Sequence, residues 1–272
     1  MWKNIGKGGI WFAIYFGLQN IISTVWAIAY MFMNPTGWPD MTNADALMEY
    51  IFEIVMATVI PALTISALLM IIIYIAHRNV TKQPLYLRTM EWQKVLFFAG
   101  LAAVLNVICN VVLAWLSTTL PEAWVGALKN SVDSVTTGQD FWLLLLCTGI
   151  LVPIMEEITF RYGIHHHIAK SNVMWAYIIS SVIFGLMHGN PLQIIYATLF
   201  GFLLAFVYQK TNNLMYPIVI HAVNNTMSLC VSLFQTDLGY IVTVAGSGLI
   251  VLTLSYFCCA NVKQMLQKTP KI

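Results

Sequence analysis

Glu156-Glu157-Ile158-Thr159-Phe160-Arg161 sets two carboxylates and a guanidinium inside a hydrophobic stretch. Two later apolar stretches each carry a histidine, in Phe184-Gly185-Leu186-Met187-His188 and in His221-Ala222-Val223-Asn224-Asn225. Ionisable groups in a bilayer interior are costly and mark function. Whether these stretches span a membrane therefore decides both the fold and the candidate site.

Composition answers for a membrane. The chain has 272 residues, 59% of them hydrophobic and 9% charged, with a mean hydropathy of +0.77. Soluble domains carry roughly 25% charged residues, and no soluble fold of this length hides so much apolar surface. The apolar segments recur along the whole chain. The reading is all-α: a polytopic integral membrane helical bundle of about eight transmembrane helices, forming a single membrane domain over 1–272. Spans are drawn at about 10–33, 51–76, 95–117, 141–164, 173–188, 192–209, 214–234 and 239–260. Most reach the roughly 20 residues that a bilayer needs. The short spans 173–188 and 192–209 meet at Gly189-Asn190-Pro191, a turn that forbids one continuous helix. The connections 34–50 and 118–140 read as loops. The first span follows Lys3 and Lys7 as a signal peptide would, but it is too long for one and lacks a small-residue cleavage site.

Positive charge sets the orientation. With Arg161 set aside, Lys3, Lys7, Arg78, Lys82, Arg88, Lys94, Lys170, Lys210, Lys263, Lys268 and Lys271 fall on one side, and Lys129 opposite. Asp40, Asp45, Glu49, Glu122, Asp133, Asp140 and Asp237 fall with Lys129. Both termini are then cytoplasmic, and the span number is even. The pI near 8.2 comes from the cytoplasmic connections. It fits contact with anionic membrane lipids and not nucleic acid binding. Cys109, Cys147, Cys230, Cys258 and Cys259 all lie in apolar segments, odd in number and without CxxC spacing, so they read as packing. Trp2, Trp11, Trp92 and Trp142 fall near span ends, as interface belts do.

Spacing divides the acidic pair. Glu157 and Arg161 are four apart on a helix, in the favourable order for an ion pair. Glu156 points about 100° away and stays free to act as a general base. The competing reading is a structural ion pair that locks helices together. Pro153, one turn earlier, frees a carbonyl and bends the helix next to a cavity. His188 closes a short span, where an interfacial role competes with a functional one. His221 and Asn225 share a face and can present two donors to a developing oxyanion; an interhelical hydrogen bond is the plainer alternative. Pro217 precedes His221 as Pro153 precedes Glu156. Asn224 is read as facing elsewhere.

Other features carry less. His165-His166-His167 resembles a metal site, but consecutive helical residues do not face one another. Asn106 with Asn110, and Gln19 with Asn20, read as packing glue. HExxH is missing, as is GxSxG with a partner histidine, and every Asp lies in a loop. Zincins, rhomboid-like serine proteases and aspartyl intramembrane proteases are thereby set aside.

Glu156-Glu157…Arg161, Phe184…His188 and His221…Asn225 spell EExxxR, FxxxH and HxxxN in that order. This combination resembles the CPBP family, which joins the type II CAAX prenyl proteases with the bacteriocin-processing and immunity proteins also called Abi. The resemblance covers roughly 141–234, the expected catalytic core. It implies a glutamate-dependent intramembrane endopeptidase acting on a peptide or lipid-modified protein. In that family the first glutamate and the FxxxH histidine, here Glu156 and His188, activate a water. The last histidine and asparagine, here His221 and Asn225, form the oxyanion site. Glu157, Arg161 and Phe184 are supporting residues. The family is often labelled a metalloprotease, yet these residues form no obvious zinc set and none is expected. A His₂Glu site from Glu156, His188 and His221 is the alternative.

The axial rise of a helix, counted from the cytoplasmic ends, puts His188 deeper than Glu156 and His221 shallower. A non-catalytic immunity or regulatory partner and a proton-coupled transporter are the competing functions; no visible internal repeat supports the transporter. Short loops, the lack of a targeting peptide and the immunity-protein resemblance point to a bacterial plasma membrane.

Overall fold

The computed structural model describes residues 1–34, 38–40, 42–82, 86–87, 90–234, 246, 248–249 and 253. Among these it is all-helical, with no strand. The helices are α1 (Trp2–Met33), α2 (Ala44–Thr81), α3 (Trp92–Leu116), α4 (Glu122–Thr136), α5 (Phe141–Ala169), α6 (Val173–Leu186), α7 (Pro191–Thr211) and α8 (Met215–Phe234). Five of them, α1, α2, α3, α5 and α7, are long and apolar enough to cross a membrane, and α6 is a shorter apolar helix. The expected span at 239–260 lies outside the described residues.

Two expected loops prove partly helical. Residues 118–140 hold α4, whose Leu128, Val132 and Val135 recur at i, i+4 and i+7. That apolar stripe on a helix carrying Glu122, Lys129 and Asp133 makes it amphipathic rather than apolar, so a hydropathy reading passes it over. α2 begins at Ala44, earlier than drawn, because the Asn43 side chain accepts from the Asp45 and Ala46 backbone N–H groups and caps the helix.

The break between α6 and α7 follows the sequence closely. Gly189 adopts a positive φ of 69°, Asn190 accepts from the Leu192 and Gln193 N–H groups, and Pro191 takes the first helical position. The two helices then run back against each other in close contact. A Cβ at Gly185 would lie 2.0 Å from Thr198 Oγ1 and 2.7 Å from the Ile194 carbonyl oxygen. Only glycine permits that approach.

α5 is the central element, packed by α1, α2, α6 and α8. Its eight residues Ile158–His165 are all buried. Twice it widens into π-helix, at Leu145–Leu151 and Ile158–His165, where the N–H groups of Val152 and His166 reach back five residues to Cys147 O and Arg161 O. These segments flank the glutamates, and π-turns commonly mark functional positions. Trp11 does not join an interface belt: it is buried, edge-on to Tyr162 and His77 and tight against Gly163. Trp2, Trp92 and Trp142 are exposed. Cys147 is buried, whereas Cys109 is exposed and does not serve as interior packing.

Candidate active site

The site is built where α5 and α8 meet under α1 and α6. Glu157 and Arg161 are both fully buried, with Arg161 Nε 3.0 Å from Glu157 Oε2. The contact is an ion pair rather than an aligned hydrogen bond, since among the described residues Arg161 Nε and Nη1 find no hydrogen-bond partner. The guanidinium instead lies over the Phe184 ring, 4.7 Å from its centre, and Nη2 makes a long 3.5 Å contact to Gly201 O. A charge so enclosed persists only when paired.

His221 ties the two glutamates together. Its Nδ1 is 2.9 Å from Glu157 Oε1, and its Nε2 is 3.5 Å from Glu156 Oε2. The 100° between the carboxylates on their helix is no obstacle, because the imidazole carries a nitrogen on each edge. Glu156 also accepts from the Tyr15 hydroxyl at 3.2 Å. Two carboxylates against one guanidinium leave one formal negative charge.

His188 lies in the turn just after α6, with Nδ1 3.0 Å from Phe184 O. A carbonyl only accepts, so Nδ1 carries a hydrogen. Asn225 Nδ2 donates to Thr148 O at 3.1 Å. Phe184 touches the rings of both His188 and His221, with centroids 5.1 and 5.5 Å away. His188, His221 and Asn225 line one cavity of about 410 Å³. Glu156, with its side chain 12% exposed, is in contact with the inner edge of His221 and does not line that cavity. Glu156 thus has His221, not His188, as its neighbour. His221, counted as shallower than Glu156 along the sequence, nonetheless reaches it, because such counting assumes that every helix starts at one level.

Asn224 departs from its expected direction. His221, Asn224, Asn225 and Ser228 sit at i, i+3, i+4 and i+7, one helical stripe, and all line the cavity. Asn106 and Asn110 line it too, so they are cavity wall as well as packing. Nothing in the sequence singles out Tyr15 or Thr148, since no signal local to α1 or to a backbone carbonyl announces a partner so distant in the chain. The three consecutive histidines go to separate partners: His165 to Gln209, His166 to Tyr86 and Tyr208, and His167 to Gly163 O.

A metal fits this donor set poorly. Among the described residues no three His, Cys, Asp or Glu side chains come together as a ligand group. Both nitrogens of His221 and both oxygens of Glu157 are already committed. No step is therefore routed through a metal.

Residues 138–227 match the family described as type II CAAX prenyl endopeptidase Rce1-like. The chain is 37% identical over 92 residues to a Bacillus subtilis (strain 168) protein named "Putative membrane peptidase YdiL", a match covering 34% of this chain and 38% of that protein. It is 35% identical over 100 residues to "UPF0177 protein YxdF" of Lactococcus lactis subsp. lactis (strain IL1403), covering 34% of this chain and 55% of that protein. The matches thus span less than two thirds of either relative. No solved structure matches significantly. The matched segment carries Glu156 through Asn225 and is similar to the Rce1-like type II CAAX prenyl endopeptidases, a family of membrane proteases.

Proposed function

We propose that this protein is an intramembrane endopeptidase that hydrolyses a peptide bond with water activated by Glu156 and His188. The observation that carries this reading is the Glu157–His221–Glu156 chain, with His221 on the wall of a polar cavity that His188 and Asn225 share. Water entering from the cavity reaches Glu156 past His221 and loses a proton to that carboxylate, while His188 accepts its second O–H from the cavity wall, and its oxygen bonds to the carbonyl carbon. The oxyanion accepts from His221 Nε2–H and from the second hydrogen of Asn225 Nδ2. The abstracted proton passes to the leaving nitrogen as the carbon–nitrogen bond breaks. Glu157 and Arg161 fix His221 without entering the chemistry.

The substrate is a peptide or a lipidated, membrane-associated protein. The setting is a bacterial plasma membrane with both termini cytoplasmic, as the lysine pattern and the bacterial relatives support. Bacteriocin or pheromone processing, or self-immunity, is the role we assign. Glu156→Gln tests the chemistry, since it removes the base and keeps the size. The variant should fold normally in proteoliposomes and cut no peptide that the parent cuts; full activity would falsify the general-base role.

A further inference from the structure

The cavity has two unlike walls. One is a ladder of amides from α3 and α8. Asn110 Nδ2 donates to Asn106 O and Oδ1 at 2.9 and 3.0 Å. Asn106 Nδ2 in turn donates to Asn224 O and Oδ1, both at 3.1 Å, and to Ser228 Oγ at 2.8 Å. Among the described residues Asn110 Oδ1 and Asn224 Nδ2 make no bond to protein, so an acceptor and a donor remain for an occupant. The second wall is the apolar stripe of α4, Leu128, Val132 and Val135. No described side chain of α4 is fully buried. Among the described residues no Lys, Arg, Asp or Glu lines the cavity.

Such a lining selects by charge and by backbone. An ionised group entering it loses its hydration and meets no counter-charge, so carboxylates, phosphates and ammonium groups are disfavoured. Amide side chains pair with both N–H and C=O, which is what an opened peptide offers. A membrane segment satisfies its own backbone only while helical. Once unwound for hydrolysis, its N–H and C=O groups need partners within the protein.

We propose that Asn110 and Asn224, held in place by Asn106, bind the backbone of an unwound, uncharged apolar segment whose side chains rest on the α4 stripe. The inference rests on the peptidase reading above and names the class of segment that is cut. It makes Asn110 and Asn224 specificity residues that touch substrate, beyond the EExxxR, FxxxH and HxxxN positions, and Asn106 the residue that positions them.

The test uses binding, so that it does not depend on turnover. Full-length Glu156→Gln protein in vesicles of phosphatidylethanolamine and phosphatidylglycerol is offered a leucine–alanine peptide of about 20 residues. The peptide carries a central photo-crosslinking benzoylphenylalanine, and a second set places Lys or Asp beside that group. The uncharged probe should crosslink to α3, α4 and α8, and the charged probes should bind more weakly. Asn110→Ala and Asn224→Ala should each weaken binding roughly three- to tenfold, the worth of a hydrogen bond. Asn106 is buried with three acceptors, so the other two positions decide the outcome, after each variant is shown to run as folded protein on gel filtration. Equal binding of charged and uncharged probes, or no effect of either variant, overturns the proposal. If the parent protein binds the apolar probe on this wall but never cuts it, the peptidase reading fails and the binding inference stands.

Discussion

His221 Nδ1 lies 2.9 Å from Glu157 Oε1, while Arg161 holds the other oxygen of the same carboxylate at 3.0 Å. Glu157 therefore has two partners to satisfy and cannot be exchanged without disturbing both. In an interior without water, each partner it leaves behind is an uncompensated polar group.

Glu157→Gln should lower the amount of folded protein in the membrane, because Arg161 loses its counter-charge. Removing one member of a buried pair costs roughly 3–5 kcal/mol. Glu157→Gln combined with Arg161→Gln should recover part of the folded fraction, read by thermal unfolding in detergent. Activity should stay low in the double variant, since His221 no longer hangs on a carboxylate. A double variant no better folded than the worse single one would show that the pair does not stabilise the bundle.

Asn225→Ala should reduce turnover more than substrate affinity. One hydrogen of Asn225 Nδ2 is held by Thr148 O, which aims the group, and the other is assigned to the oxyanion. Loss of such a donor costs about 10²–10³ in kcat. Steady-state kinetics on a cleaved peptide checks it. A raised KM with unchanged kcat would assign Asn225 to substrate binding.

Purified active protein should carry no stoichiometric zinc, and chelators should leave activity largely intact. A catalytic zinc takes three converging ligands at about 2.0–2.3 Å. Here Glu157 is held by Arg161 and His221, and His221 faces a glutamate on each edge. Elemental analysis decides the matter. One zinc per chain, removed together with activity and restored with it, would overturn the water-only mechanism and move the base role to Glu157.

Gly185→Ala should destabilise the bundle without touching the polar site. The new Cβ would sit 2.7 Å from a backbone oxygen, that of Ile194, which cannot rotate away. Overpacking of this kind costs typically 1–3 kcal/mol. Thr198→Ala should not rescue it, because the carbonyl contact remains. An unchanged melting temperature for Gly185→Ala would mean that α6 and α7 lie farther apart.

Hydropathy and spacing are enough for much of the plan. The spans around 10–33, 95–117 and 192–209 need only an apolar run, because in lipid the helix is the form that satisfies its own backbone. The Glu157–Arg161 pair is legible because i and i+4 are fixed by helix geometry. α4 is not, since its single apolar stripe faces a cavity and averages out in a hydropathy window. Asn224 is misread when only i+4 from His221 is considered, although i+3 lies on the same stripe.

The sequence by itself determined that this chain is a helical membrane protein with an acidic pair, two histidines and an asparagine at helical spacing. These are local properties, set by apolar run length and a 3.6-residue repeat. Tertiary structure alone decided that Glu156 meets His221 and Tyr15 rather than His188, that the asparagines of α3 join those of α8, and that α4 closes the cavity. Those contacts join residues more than 60 positions apart, such as Glu157 with His221 and Tyr15 with Glu156. Helix tilt, level and crossing set them, and these follow from packing such as Gly185 against Thr198, which no single helix encodes.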